Sequence, residues 1–184
     1  MSEELYLIAS PNSSPSGLLR GFDLINARTP VAAVLVERGG LSEKAYKDHA
    51  KALIPHLQAA GTAVLVEGEP GLVRLLKADG LHVTGGIKAV EEAISALKPD
   101  LIVGVGDSRS RHDAMQKGEA GIDYMMFGPL YGPLTEDARE MAIWWAETMD
   151  IPAVLSNPEA ALEAYDALGC DFIALTLPAL EAGA

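Results

Sequence analysis

The chain has 184 residues, 49% of them hydrophobic, and a formal net charge of −12 at pH 7. This length and apolar content predict a single domain over residues 1–184 with a core of its own. The acidic balance argues against a nucleic-acid partner, because phosphate-backbone binding needs a basic stripe and the fourteen Lys and Arg residues are scattered.

The sequence shows no membrane-span or leader pattern and too few cysteines for a disulfide. Its apolar runs fall short of the roughly 18 residues of a membrane span, and no basic segment precedes a long apolar one at the N-terminus. We therefore expect a soluble, cytoplasmic protein without a membrane partner. With Cys170 as its single cysteine, the chain can form neither a disulfide framework nor a thiolate zinc site.

Short apolar runs recur along the chain at nearly even spacing. They are too short and too uniformly apolar for exposed helices, so they predict strands buried on both faces. In chain order the runs are residues 5–8, 32–36, 63–66, 79–83, 100–105, 123–128, 153–155 and 171–175.

The spacing of these runs predicts the fold class. Eight units in 184 residues give 23 residues each, enough for a five-residue strand, a short helix and two loops. We therefore predict an α/β fold, a compact (β/α)8 TIM barrel. An open doubly wound sheet is the alternative. Against it, residues 9–14 after the first strand read ASPNSS and lack the Gly-x-Gly-x-x-Gly fingerprint.

Capping residues place four of the helices between the strands. We predict helices from Ser42 through about residue 60 with Gly61 closing it, from Ser110 to residue 120 ended by Gly121, from Thr135 through Thr148, and from Asn157, followed by Pro158, to Gly169. In the third of these, one of the neighbouring Trp144 and Trp145 must point away from the sheet. An exposed tryptophan would indicate a subunit contact and hence a homo-oligomer, whereas a partly buried one is ordinary.

Aspartates open four of the strands: Asp79, Asp100, Asp123 and Asp171. These positions lie on the barrel face associated with stability. We predict that their carboxylates cap backbone N–H groups or brace loops there.

The opposite ends of the strands are polar and rich in glycine. In a barrel, chemistry belongs at this face, where each strand leads into the next helix. The residues concerned are Ser10, 37–40, 67–69, 82–86, 104–109, 128–133, 156–157 and Thr176.

Four segments carry a family resemblance. Residues 5–8 (LYLI), 78–83 (ADGLHV), 101–105 (LIVGV) and 121–131 (GIDYMMFGPLY) resemble the thiamine phosphate synthase/TenI family, and the last is the most specific. The resemblance runs almost end to end and implies a (β/α)8 barrel. It also implies an activity: synthases of this family join a pyrimidine pyrophosphate to a thiazole phosphate with Mg²⁺, and the TenI branch tautomerises a thiazole intermediate.

Most of the functional motifs that the resemblance would imply are altered. The family's Gln-x-Arg-x-Lys at the second strand corresponds to residues 35–39, which read LVERG and keep one arginine, displaced by a position. Its Asn-Asp-Arg corresponds to residues 67–69 (EGE), and its Gly-Gln-x-Asp to residues 84–87 (TGGI).

Later motifs differ in the same way. The family's Ser-x-His corresponds to residues 106–108 (GDS), its Thr-x-Thr-Lys to residues 132–135 (GPLT), and its Gly-Gly to Asn157 and Pro158. Release of pyrophosphate builds negative charge that cations and a metal ion must stabilise. We therefore expect little or no standard synthase activity, with Mg²⁺ required only if that activity is retained and no metal ligand predicted with certainty.

A phosphate could bind at the rim after the fifth strand. Here Gly104, Gly106, Asp107 and Ser108 resemble a backbone nest beside Arg109. The alternative is a tight turn in which Asp107 or Ser108 caps the next helix. Further ligand contacts are predicted in the most specific segment, at Gly128, Pro129 and Tyr131.

Four residues are candidates for catalysis: Glu37, Arg38, Glu67 and His82. His82 could act as an acid or base near neutral pH, or have a structural role in its strand. Glu37 and Glu67, with Glu69, could share a proton or hold a divalent cation, or be solvated loop acids.

Three functions remain open from the sequence. The first is a divergent synthase/TenI-like barrel that binds a small, phosphorylated, thiamine-related ligand with little or no synthase activity. The second is an active synthase-like transferase or TenI-like isomerase with relocated catalytic residues. The third is an unrelated acid/base enzyme on the same barrel, using Glu67 and His82. All three take a small-molecule partner.

Overall fold

Eight parallel strands close into a barrel in the computed structural model, which describes residues 2–181. The strands are β1 (Glu4–Ala9), β2 (Val31–Val36), β3 (Ala63–Val66), β4 (Gly80–Val83), β5 (Ile102–Val105), β6 (Tyr124–Phe127), β7 (Ala153–Ser156) and β8 (Phe172–Thr176). Each pairs with its neighbours in chain order, and β8 pairs with β1. The predicted (β/α)8 barrel is confirmed, and the open-sheet alternative is wrong.

Six helices surround the barrel: α1 (Pro15–Asn26), α2 (Glu43–Ala59), α3 (Pro70–Leu76), α4 (Ile87–Leu97), α5 (Arg111–Glu119) and α6 (Glu136–Thr148). Three predicted N-caps are confirmed. The hydroxyls of Ser42, Ser110 and Thr135 each accept a hydrogen bond from a backbone N–H three residues on, at 3.1, 3.0 and 3.2 Å. None of these helices is long and apolar enough to cross a membrane.

The helix predicted from Asn157 to Gly169 is wrong. The segment forms turns with one isolated bridge between Ala161 and Ala164. The Asn157 N–H donates to the Ala174 carbonyl at 2.9 Å, and the Pro158 carbonyl accepts from the Thr176 N–H at 3.2 Å. In the predicted helix, the Pro158 carbonyl would accept a hydrogen bond from within the helix. Here it accepts one from β8 instead.

The chain after β8 also runs without a helix in the described residues, and it lies against α1. The Leu180 N–H donates to the Gly17 carbonyl at 2.9 Å, and the Arg20 Nε donates to the Leu180 carbonyl at 2.7 Å. A Cβ at Gly21 would lie 1.7 Å from the Pro178 oxygen, so this helix has no side chain where the segment crosses it.

Three of the four strand-opening aspartates brace the strand before their own. The Oδ2 atoms of Asp79, Asp123 and Asp171 accept hydrogen bonds from the N–H groups of residues in β3, β5 and β7 at 2.7, 2.8 and 2.9 Å. The prediction is confirmed for these three. Asp100 is exposed and makes no side-chain hydrogen bond to another described residue.

Apolar side chains form two layers, one inside the barrel and one between strands and helices. The inner cluster is small: Tyr6, Ile8, Ala33, Leu35, Leu65, Tyr124, Met126, Val154 and Ala174. In the outer layer Trp145 is 1% exposed and its Nε1–H donates to the Ile151 carbonyl at 2.9 Å. Trp144 is half-buried, with the Arg111 guanidinium 5.0 Å from its ring centre, so it is the ordinary, partly covered surface aromatic.

Candidate functional site

A cavity of about 440 Å³ opens at the carboxyl ends of the strands. It brings together residues after β3, β4, β5 and β6 that the sequence singled out separately. Its walls are Glu67, His82, Thr84, Gly106, Asp107, Met126, Gly128, Pro129, Leu130 and Tyr131. We call this space the mouth cavity. Glu37, Arg38 and Gly104 do not line it.

Two neighbouring cavities share walls with the mouth cavity. One, of about 300 Å³, reaches Ser108 and Arg109 and extends to the start of α6. The other, of about 330 Å³, lies at the start of α4, where Arg109 and Lys117 are its cationic walls. Asp107 lines all three, so the predicted rim residues after β5 stand at the centre of the site.

Two acids, the buried Glu37 and the half-buried Glu67, lie close enough to influence each other. The Arg38 backbone N–H donates to Glu67 Oε2 at 2.8 Å, and the Glu67 N–H donates to the Tyr46 hydroxyl at 2.9 Å. Burial and the Glu67 carboxylate raise the pKa of Glu37 to about 6. Burial also raises the pKa of Glu67, although Arg38 opposes that shift. Glu37 can therefore gain or lose a proton near neutral pH.

The Arg38 guanidinium serves its own loop. Its carbon lies 5.8 Å from the centre of the Tyr46 ring, and its Nε donates to the Leu41 carbonyl at 3.4 Å. The guanidinium thus interacts with an aromatic ring and a loop carbonyl. It does not line the mouth cavity.

His82 is buried inside the barrel at the floor of the mouth cavity. Its Nδ1 lies 2.7 Å from the Tyr124 hydroxyl, which lies 2.8 Å from the Tyr6 hydroxyl. Its Nε2 has no hydrogen-bond partner among residues 2–181. Burial lowers the pKa of His82 to about 4, so the ring is neutral at pH 7.

Sequence reasoning missed Tyr6 and Tyr124. Both lie in apolar runs that were assigned to the core, and the signal that could have found them is the phenol group itself. A buried tyrosine hydroxyl needs a polar partner, and His82 is a polar side chain in another of the apolar runs.

Packing accounts for the two glycines of the predicted phosphate nest. A Cβ at Gly104 would lie 2.0 Å from the Tyr124 ring, and one at Gly106 would lie 2.8 Å from His82 Nε2. The Gly106 N–H already donates to the Val83 carbonyl at 2.9 Å. A phosphate contact at this rim would therefore fall to Asp107, Ser108 and Arg109, and it remains a prediction.

The cap of α5 is Ser110, as predicted separately, so the alternative of a cap at Asp107 or Ser108 is wrong. Asp107 instead has a φ of 55°, and its carboxylate lies 4.0 Å from the exposed Arg109 guanidinium. The Asp113 carboxylate pairs with the buried Lys117 ammonium at 2.9 Å. Part of the positive charge at this rim is thus already neutralised.

The carboxylates at the rim do not form a metal site by themselves. No three His, Cys, Asp or Glu side chains within residues 2–181 lie where they could share a metal ion. Glu67 is engaged by the Arg38 N–H, and Glu69 is exposed at the start of α3. Mg²⁺ usually takes one or two carboxylates together with substrate phosphates, and Glu67 and Asp107 of the mouth cavity are the side chains that would supply them.

Comparison with known proteins decides the family. The family model described as thiamine monophosphate synthase matches residues 5–176. The chain belongs to this family. Among its relatives, the thiamine-phosphate synthase of Rhodospirillum centenum (strain ATCC 51521 / SW) is 31% identical over 82% of this chain and 75% of that protein. That of Hyphomonas neptunium (strain ATCC 15444) is 30% identical over 94% of this chain and 83% of that protein.

Solved structures support the same barrel for this member of the thiamine monophosphate synthase family. A thiamine phosphate pyrophosphorylase from Pyrococcus furiosus superposes with a TM-score of 0.74 at 19% identity, covering 94% of this chain and 85% of that one. An HpcH/HpaI aldolase from Desulfitobacterium hafniense DCB-2 gives 0.68 at 13% identity, covering 95% and 86%. At these identities the likeness concerns the fold alone.

Proposed function

We propose that this member of the thiamine monophosphate synthase family binds a small, phosphorylated, thiamine-related ligand with little or no standard synthase activity. The observation that carries the proposal is the charge of the mouth cavity, whose ionisable walls are the carboxyl groups of Glu67 and Asp107 and the neutral His82. Among the described residues its walls include no lysine or arginine, so the phosphate oxygens of a diphosphate would meet carboxyl groups and no cation of the protein there.

A monophosphate has a better place beside this cavity. The space at the start of α4 shares Thr84 and Asp107 with the mouth cavity and adds Arg109, Asp113 and Lys117. Lys117 is paired with Asp113, so the exposed Arg109 is the cation that a phosphate would meet there. α4 begins at Gly86 without a side-chain cap, so its first N–H groups are free for an anion. A ligand ring in the mouth cavity could therefore place one phosphate at this helix start.

Two assays test the proposal. We expect thiamine phosphate formation from the pyrimidine pyrophosphate and thiazole phosphate to stay far below the roughly 1–10³ s⁻¹ of ordinary enzymes. In calorimetric titrations, thiazole phosphate or thiamine phosphate should bind equally well with and without Mg²⁺. Arg109→Gln should weaken that binding about tenfold through loss of a charged hydrogen bond. Arg28→Gln, on an exposed arginine paired with Glu163, is the matched control and should change nothing.

Other outcomes favour the alternative functions. Synthesis at an ordinary rate, or Mg²⁺-dependent binding of the pyrimidine pyrophosphate, would indicate an active transferase with relocated groups. An absence of binding to all of these compounds would favour an unrelated acid/base enzyme. One observation supports this last candidate: Glu67, with its raised pKa, and the neutral His82 line the same cavity.

A further inference from the structure

The barrel interior contains a hydrogen-bonded chain of three side chains that ends at the floor of the mouth cavity. The Tyr6 and Tyr124 hydroxyl oxygens are 2.8 Å apart, and Tyr124 Oη is 2.7 Å from His82 Nδ1. These side chains are 1%, 7% and 2% exposed, so water does not replace any of the bonds. The protons of the chain must therefore be arranged among these groups alone.

Counting protons fixes the direction of the chain. If Tyr6 donates to Tyr124, then Tyr124 donates to His82 Nδ1, and the imidazole proton lies on Nε2. Only the Nε2–H then lacks a partner. In the opposite direction, the Tyr6 O–H lacks an acceptor among residues 2–181, and the Nε2 lone pair also stays unpaired. Since each unpaired buried polar group costs free energy, the first arrangement, with one such group instead of two, is favoured.

The unpaired Nε2 is buried beside Gly106, the first residue after β5. A Cβ at Gly106 would lie 2.8 Å from Nε2, so the absence of a side chain there leaves room for the imidazole ring. His82 and Gly106 both line the mouth cavity. A buried donor without a partner at the floor of a cavity is completed when a bound molecule supplies an acceptor.

We propose that Tyr6 and Tyr124 hold His82 as the Nε2–H tautomer, so that this N–H selects ligands carrying a hydrogen-bond acceptor, such as a heteroaromatic ring nitrogen or a carbonyl oxygen. The selection rests on the proposed function, since it needs a ligand in the mouth cavity. The tautomer itself does not. Tyr6 and Tyr124 are positioning residues, and His82 is the group that contacts the ligand.

Nitrogen-15 NMR of the imidazole rings at pH 7 tests the tautomer in the ligand-free protein. We expect His82 to show an unprotonated Nδ1 and a protonated Nε2. Tyr124→Phe removes the donor to Nδ1, so the spectrum should become a mixture of both tautomers while the fold persists by thermal melting. Tyr46→Phe is the matched control, because the Tyr46 hydroxyl bonds to the Val36 carbonyl and to the Glu67 N–H and should leave His82 unchanged.

The ligand role is tested by adding thiazole phosphate to the same sample. Its ring nitrogen should shift the His82 Nε2 proton resonance, and Tyr124→Phe should weaken binding several-fold. A protonated Nδ1 in the native protein, or an unchanged single tautomer in Tyr124→Phe, would overturn the proposal. If thiazole phosphate binds without shifting the Nε2 proton resonance, His82 does not select the ligand and that part of the proposal is refuted. If thiazole phosphate does not bind at all, the proposed function and the ligand selection are both refuted. The tautomer measurement is independent of either result.

Discussion

At the scale of single residues, the acid next to the mouth cavity that is most withdrawn from water is Glu37. Glu37 is 8% exposed and lies beside Glu67, and this combination of burial and like charge raises its pKa to about 6. An acid that titrates near neutrality is useful for moving a proton. It also has a cost, because the folded chain must hold a charge that it partly desolvates.

Glu37→Gln should therefore stabilise the protein at pH 7. Between the ordinary pKa of 4.5 and the folded value of about 6, the folded state binds more protons than the unfolded state, so stability falls as pH rises through this window. Removing the charge should raise the free energy of unfolding by about 1–2 kcal/mol at pH 7 and by almost nothing below pH 4.5.

Urea melts at pH 4.5 and pH 7 measure this difference. Glu69→Gln, on an exposed glutamate of the neighbouring loop, is the control and should show no gain at either pH. An equal gain from Glu37→Gln at both pH values would contradict the explanation based on charge.

At the scale of elements, a repeated carboxylate ties the strands together in pairs. The aspartate before β4, β6 or β8 accepts a hydrogen bond from the N–H of the first or second residue of β3, β5 or β7, and so pairs a backbone donor near the start of that strand. Asp123 goes further, because both of its oxygens also accept from the Lys98 ammonium, at 2.6 and 2.7 Å.

Asp123→Ala should destabilise the barrel more than Asp100→Ala. The first change leaves the Val103 N–H unpaired and the Lys98 ammonium without its partner, at a cost of about 1–3 kcal/mol. The second removes an exposed side chain and should cost less than about 0.5 kcal/mol. Chemical unfolding of both variants decides between them, and equal losses would refute the bracing role.

At the scale of the whole molecule, eight strands are covered by six helices and two irregular segments. Residues 157–169 cover part of the outside between β7 and β8 through the buried Ala167 and the partly buried Leu162, Tyr165 and Leu168. The chain after β8 crosses α1 at Gly21. The barrel is closed by the strand ladder and packed by the outer apolar layer. At these two places, irregular chain covers that layer where a helix does so elsewhere.

Gly21→Ala tests the contribution of the crossing. Alanine favours a helix over glycine by about 1 kcal/mol, but here its methyl would collide with the Pro178 oxygen at 1.7 Å and displace the segment. We expect a lower melting temperature by several degrees. Gly71→Ala, in α3 with nothing within 4 Å of the new Cβ, is the control and should leave stability unchanged or raise it.

The sequence predicted those parts of the fold that are encoded locally. Strand positions and three helix caps depend on neighbouring residues, and all were recovered. Asn157 and Pro158 carry the same local signal for a helix, but their bonds to β8 override it. The structure places several of the predicted rim residues around one cavity, and their role in binding or catalysis stays a prediction. The Tyr6–Tyr124 bond joins residues 118 apart, so it exists only once the barrel has closed, and no local pattern could reveal it.

The irregular chain between β7 and β8 has a consequence for engineering the barrel. It covers outer side chains of the strands, whereas the mouth cavity is lined by residues of β4 and β6 and by the loops after β3 to β6. A graft or a shortening confined to residues 157–169 therefore leaves the cavity walls in place.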